Sequence, residues 1–230
     1  MPLPGFPRQP EQVPMGPGMG PLAGDWFASP AGRAVLDSEG DIVRQAALER
    51  AGQPWLRLMP TGGLAAGGER ELALYVDGGA FAGPVRCGFP LPLASESIGT
   101  VVLQHVADGP VLPAAVLEET ARILVPGGRL WLLALNPLAP YRWRWMRQGP
   151  VASEPVRWRR RLRTAGLVPE AVSQGVGPRW DILPNATLQQ GAGLRAAYLL
   201  RAEKRLYPLT PIRPRPSLRL QTGATGASGA

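Results

Sequence analysis

Cysteine, histidine and lysine are almost missing from this 230-residue chain, which holds one of each: Cys87, His105 and Lys204. One cysteine excludes a disulfide framework and any cysteine-based metal cluster, and it suits a reducing compartment. One histidine leaves little for a zinc site, so no metal is expected. No apolar run reaches the roughly 18 residues that a membrane-spanning helix requires. The first twenty residues have neither a basic n-region nor an apolar h-region, so no secretory signal is expected, and the protein is read as soluble and cytoplasmic. No Gly-x-Gly-x-x-Gly follows any strand-like run, which argues against a nicotinamide-dependent dehydrogenase.

Glycine and proline, by contrast, are abundant, at 29 and 27 residues, and imply long irregular segments in a chain that is 45% hydrophobic. They concentrate in residues 1–21, read as a disordered arm, and the low-complexity stretch 215–230 is read as a disordered tail. Residues 22–214 are then one domain with room for a full core. The formal charge of +8 is unevenly spread: residues 1–140 carry 9 Arg and 13 acidic residues, net −4, and residues 141–230 carry 15 Arg, one Lys and 4 acidic residues, net +12. Such asymmetry points to an anionic partner for the second half.

Element signals are clearest from Phe89 to Pro137. Ile98–Val106 is a largely apolar, β-branched run that reads as a strand buried on both faces. Pro113–Leu124 places Val116, Leu117, Ala121 and Leu124 at helical spacing. Pro126-Gly127-Gly128 reads as a turn that ends the helix, and Leu130–Leu135 as a second buried strand. Together these form a right-handed parallel βαβ unit. Upstream, Ser29 and Pro30 read as N-cap and first residue of a helix reaching Ala51, weak at Gly40, with Val35, Leu36, Ile42, Val43, Ala46, Ala47 and Leu48 as its buried stripe. Trp55–Met59 and Arg70–Val76 read as strands. Only six residues, Leu64–Glu69, separate Gly63 from the second of these, too few for a crossover helix, and no helix is legible from Asp77 to Ile98. Downstream, Ser153 is read as the cap of a helix Val156–Ala165, with Trp158, Leu162 and Ala165 on one face and Gly166 past its end. Leu167–Val176 reads as a strand, Trp180–Gln190 as a loop and Ala196–Arg205 as a last strand.

The residues Leu91-Pro92-Leu93, a strand ending near His105, and Leu124-Val125-Pro126-Gly127-Gly128 before the next strand resemble the class I S-adenosylmethionine-dependent methyltransferases of the type 11 kind. The resemblance covers roughly Trp26–Pro214, and the segment from Tyr207 to Pro214 is similar to the tail of a bacterial subgroup. It implies an α/β fold, a Rossmann-like three-layer sandwich with a reduced helical layer in the N-terminal half. It also implies S-adenosyl-L-methionine as cofactor and methyl transfer to an acceptor that the sequence does not identify. The family's loop after the first strand, acidic-x-Gly-x-Gly-x-Gly, is degenerate here: aligned on Gly63, Thr61 and Met59 replace two glycines and Arg57 replaces the acidic residue.

Carried over position by position, the cofactor residues would be Thr61, Gly62, Gly63, Asp77, Leu91, Pro92, Leu93 and Gln104. Asp77 would hold the ribose hydroxyls, or else be a turn residue before Gly78-Gly79; Leu91, Pro92 and Leu93 would border the adenine, or else pack as an ordinary loop. His105, with a reference pKa near neutrality, is either a catalytic base or a wall of the cofactor pocket. Arg142, Trp143, Arg144, Trp145 and Trp158 lie in the Arg/Trp-rich segment that the resemblance sets beside the acceptor. They suggest an acidic or amphipathic acceptor, a nucleic acid or an anionic membrane surface, or simply a solvated helix face. A second reading of the whole chain is a non-catalytic module of the same fold that binds a partner through this basic half.

Overall fold

The computed structural model describes residues 23–64, 68–109 and 113–205. The arm 1–21, the tail 215–230 and Tyr207–Pro214 lie outside them. The described elements are helices α1 (Ala23–Ala28), α2 (Pro30–Ser38), α3 (Gly40–Glu49), α4 (Pro113–Ile123) and α5 (Pro155–Thr164). The strands are β1 (Trp55–Met59), β2 (Glu71–Asp77), β3 (Ala80–Ala82), β4 (Ile98–Gln104), β5 (Leu124–Leu135), β6 (Val168–Pro169), β7 (Gln174–Val176), β8 (Gln189–Gln190) and β9 (Ala197–Glu203). They form one sheet in the order β3-β2-β1-β4-β5-β9-β7-β8, with β6 also paired to β9. β2, β1, β4 and β5 run parallel, and β3 and β9 run antiparallel to their neighbours.

β4 is the centre. All seven of its residues are buried, because helices or loops cover both faces of a parallel sheet. Alternate residues feed two cores. On one side Val101 and Leu103 meet Val116 and Leu117 of α4 and Trp158 and Leu162 of α5; on the other Val102 meets Ile42, Val43 and Ala46 of α3. The three-layer α/β sandwich expected from the sequence is therefore present. Its thin region is also where expected: among the described residues no helix lies between β1 and β4. The irregular chain from Gly83 to Ser97 takes the place of a helix there, packing Leu91, Phe89 and Leu93 into the α4–α5 side.

Several local expectations are refined. The single helix from Ser29 to Ala51 is two helices, broken at Glu39 just before Gly40. Ser29 caps the first, accepting from the Gly32 amide at 3.2 Å. The buried stripe is narrower than read, since Leu48 is 74% exposed and Ala47 half-buried. Pro126-Gly127-Gly128 does not separate α4 from a later strand. β5 already starts at Leu124 and the register with β4 shifts between Ile98 and Thr100, as Gly127 takes φ 73° and its amide donates to the Lys204 carbonyl at 2.6 Å. Gly78 and Gly79, at φ 57° and 87°, make the tight turn into β3, a pair of left-handed positions that favours glycine. The cap residue of α5 is Glu154 rather than Ser153, and Pro155 starts the helix. Gly166, at φ 81°, closes it. Leu167–Val176 is two short strands, and the loop from Trp180 ends in β8. No described helix is long and apolar enough to cross a membrane.

Truncating Leu103, fully buried in β4, removes packing from the α4–α5 core. Leu103→Ala should cost about 2–5 kcal/mol in urea unfolding, whereas Leu48→Ala should stay within about 0.5 kcal/mol.

Candidate functional site

The carboxyl ends of β1, β2 and β4 form the edge at which open α/β sheets bind ligands. His105 follows the last residue of β4 in a left-handed conformation, φ 53° and ψ 7°, and leads into a 3-10 turn over Val106–Asp108. That turn folds the chain back so that Asp108 Oδ2 lies 2.8 Å from His105 Nδ1 and accepts the Leu135 amide at 2.8 Å. The break between α2 and α3 points Glu39 into the sheet from above. Glu39 Oε1 lies 2.8 Å from His105 Nε2, and Glu39 Oε2 accepts from Gln104 Nε2 at 2.8 Å. Gln104 Oε1 accepts in turn from Arg57 Nη2 at 2.7 Å and Nε at 3.1 Å, and Arg57 Nη1 lies 3.8 Å from Glu71 Oε1. A buried polar chain thus crosses the sheet from β2 to β5.

Both ring nitrogens of His105 face carboxyl oxygens, and with Glu39 and Asp108 ionised each nitrogen donates and the ring is an imidazolium. Burial alone would lower its pKa, but the charge of Glu39 and hydrogen bonds to Asp108 and Glu39 override this and push it up to about 9. Burial pushes the Asp108 carboxyl above its ordinary value, against the pull of His105 and the Leu135 amide. Burial likewise lowers the Arg57 guanidinium, which Glu71 and Glu39 oppose. Phe27 of α1 stacks on the imidazolium with ring centroids 4.6 Å apart. α1 also presses on the exit of β1, where a Cβ added at Gly24 would sit 2.7 Å from the Pro60 carbonyl oxygen.

The residues singled out in the sequence fall into separate places. Gln104 and His105 belong to the buried chain, at 0% and 1% exposure. Both ring nitrogens of His105 are occupied by carboxyl oxygens, of Asp108 and of Glu39, so neither faces the open carboxyl edge. Thr61 and Gly62 are half-buried and Gly63 is exposed, and Gly62 abuts Tyr75 of β2, since an added Cβ would meet its ring at 3.3 Å. Asp77 ends β2 next to this loop and pairs with Arg86 at 2.6 Å. Leu91 is elsewhere: it is buried on the α4–α5 side, its amide donating to Glu119 Oε1 at 2.6 Å and its carbonyl accepting from Arg122. Leu93 packs on the same core and Pro92 is exposed. Trp145 is buried with its ring edge-on to Trp26, and Trp158 is buried beneath α5, so neither presents a stacking face to a partner. Arg142 and Trp143 are exposed and stack on each other at 5.5 Å; Arg144 is half-buried over Tyr141. Glu39 and Asp108 carry no strong signal in the sequence. The spacing His105-x-x-Asp108 and the weak point at Gly40 were the available signals.

The sequence matches no protein-family model and no curated protein. Solved structures do resemble the fold. A SAM-dependent methyltransferase from Thermotoga maritima is 15% identical, with 78% of this chain and 97% of that one covered and a TM-score of 0.53. An S-adenosylmethionine-dependent methyltransferase from Mesorhizobium loti is 13% identical, with 72% and 97% covered and a TM-score of 0.45. The chain has the Rossmann-like fold of class I S-adenosylmethionine-dependent methyltransferases. Identity this low speaks to the fold alone.

A folded-state pKa raised to about 9 over an unfolded value of about 6.5 gives stability that is complete below pH 6.5 and lost as pH rises through 9. Urea midpoints should fall across that window, by on the order of 3 kcal/mol in all, and His105→Gln should flatten this dependence. Glu39→Ala, which strands a buried cation, should cost about 3–5 kcal/mol at pH 7 in the same assay.

Proposed function

We propose that this chain is an S-adenosylmethionine-dependent methyltransferase that aligns its reactants and takes no proton from the acceptor. The observation that carries the reading is the meeting of Asp77 and the Gly62-Gly63 loop at the carboxyl ends of β2 and β1, within this fold. The residues fit the nucleoside end of the cofactor. The Asp77 side chain is 47% exposed, and its partner Arg86 is more exposed still. Surface pairs of this kind contribute little, so the carboxylate can exchange Arg86 for ribose hydroxyls. Gly63, at φ 75°, has no atom within 4 Å of where a Cβ would sit, which leaves its backbone approachable.

When bound, the cofactor supplies a methyl already activated on a cationic sulfur. The chain's part is to hold the ribose, orient the acceptor and keep water away. The buried chain sets Arg57 and His105 against the carboxyls of Glu39, Asp108 and Glu71, so neither basic group is left unpaired beside the edge. Since His105 is committed to two carboxyls, the reading favours an acceptor whose lone pair needs no histidine to free it, such as a neutral amine or a stabilised carbanion.

A non-catalytic module of the same fold is favoured by a different observation. Among the described residues no helix follows β1 to aim its N-terminus at a ligand, and Arg57 stands where the resemblance puts an acidic residue. Calorimetry with S-adenosylhomocysteine separates the two. Saturable heat is expected, weakened roughly tenfold or more by Asp77→Asn through the lost charge-assisted hydrogen bonds. No heat and no thermal shift at millimolar ligand would overturn the enzyme reading and leave the module.

A further inference from the structure

We propose that the groove between α4 and α5 is a binding site for a soluble phosphate ester with an apolar body. The groove is open to solvent along one side and holds about 550 Å³, within the range of small-molecule sites. Its floor is apolar, made by Ala114 and Leu117 of α4 and by Ala165 just past α5. Its rim on the other side carries Arg157, Arg160 and Arg161. These three and Thr164 fall at positions i, i+3, i+4 and i+7 of one helix, so they share a face and converge on the same opening.

The three guanidiniums are exposed, and among the described residues no carboxylate pairs with any of them. Arg161 is already oriented, its guanidinium lying over the buried Trp158 ring at 4.8 Å. Glu118 is the one acidic residue in the lining, so the groove carries a net +2. A phosphomonoester carries about −1.5 to −2 at pH 7 and accepts forked N–H donors from several sides, whereas a carboxylate would leave charge uncompensated. The apolar floor adds a preference for a carbon chain attached to the anion. A single strand held by base stacking would need an open aromatic face in the groove, and Trp158 is fully buried. Membrane insertion would need an apolar helix face, and among α5's exposed residues only Val156 is a large hydrophobic one.

Calorimetry at low ionic strength with hexyl phosphate, inorganic phosphate and hexanoate tests this. Hexyl phosphate should bind, at least about tenfold more tightly than either of the others, and its affinity should fall as salt is raised. The double variant Arg157→Ala/Arg160→Ala should lose about tenfold or more with its circular dichroism unchanged, since both side chains are exposed. S-adenosylhomocysteine binding should be untouched by that variant, which keeps this site separable from the carboxyl edge. Equal affinity for inorganic phosphate or hexanoate, or indifference to the double variant, would overturn the assignment. So would binding confined to anionic vesicles or to a single-stranded oligonucleotide, which would make the arginines a surface for a larger polyanion.

Discussion

A doubly held imidazolium ties this molecule together. His105 sits at the exit of β4, Asp108 returns from the following turn to take one ring nitrogen and the end of β5, and Glu39 descends from the break between α2 and α3 to take the other. Three elements far apart in sequence meet at one buried cation. A buried charge is tolerated only when it is paired and hydrogen-bonded, so none of the three can shift alone. The chain continues through Gln104 and Arg57 to β2, which fixes how the helical layer sits on the sheet.

The same interaction limits the chemistry that this fold can support here. A histidine at the end of a central strand is in a natural place for a proton acceptor, but two carboxylates convert it into a fixed positive charge. Asp77 and Gly63 keep exposed polar groups at the carboxyl edge. Leu91 belongs to the α4–α5 side of the sheet, where its amide donates to Glu119 and its carbonyl accepts from Arg122. That pairing does for the segment between β3 and β4 what a crossover helix would otherwise do: it satisfies backbone groups and covers a sheet face. The basic half of the chain is divided in a similar way, with Trp145 and Trp158 spent on the core and the arginines of α5 turned outward.

Much of the architecture was legible because it rests on periodicity and on local turn chemistry. β1, β2, β4, α4 and β9 fall within a few residues of where their apolar patterns put them, and the missing crossover helix after β1 followed from a count of residues. β3 was not legible, because three residues after a Gly-Gly turn carry too little pattern to register. The bulged start of β5 was misread for a related reason. Pro126-Gly127-Gly128 has the composition of a turn, and only pairing with the end of β9 makes it part of a strand. The spacing of Trp158 and Leu162 puts them on one face of their helix, yet the same residue types also suit a partner surface, and only packing shows that face to be buried.

By itself the sequence determined the parallel βαβ core, the helix caps at Ser29 and Gly166, the thin N-terminal helical layer and the charge asymmetry between the two halves. Each of these depends on neighbouring residues or on composition. The tertiary structure alone decided that Glu39, more than sixty positions before His105, would be its partner, that Leu91 would lie on the far side of the sheet, and that three arginines would border a groove. Contacts of that kind depend on how the layers pack, and periodicity along the chain shows which face of an element is buried without showing which side chain waits on the other side.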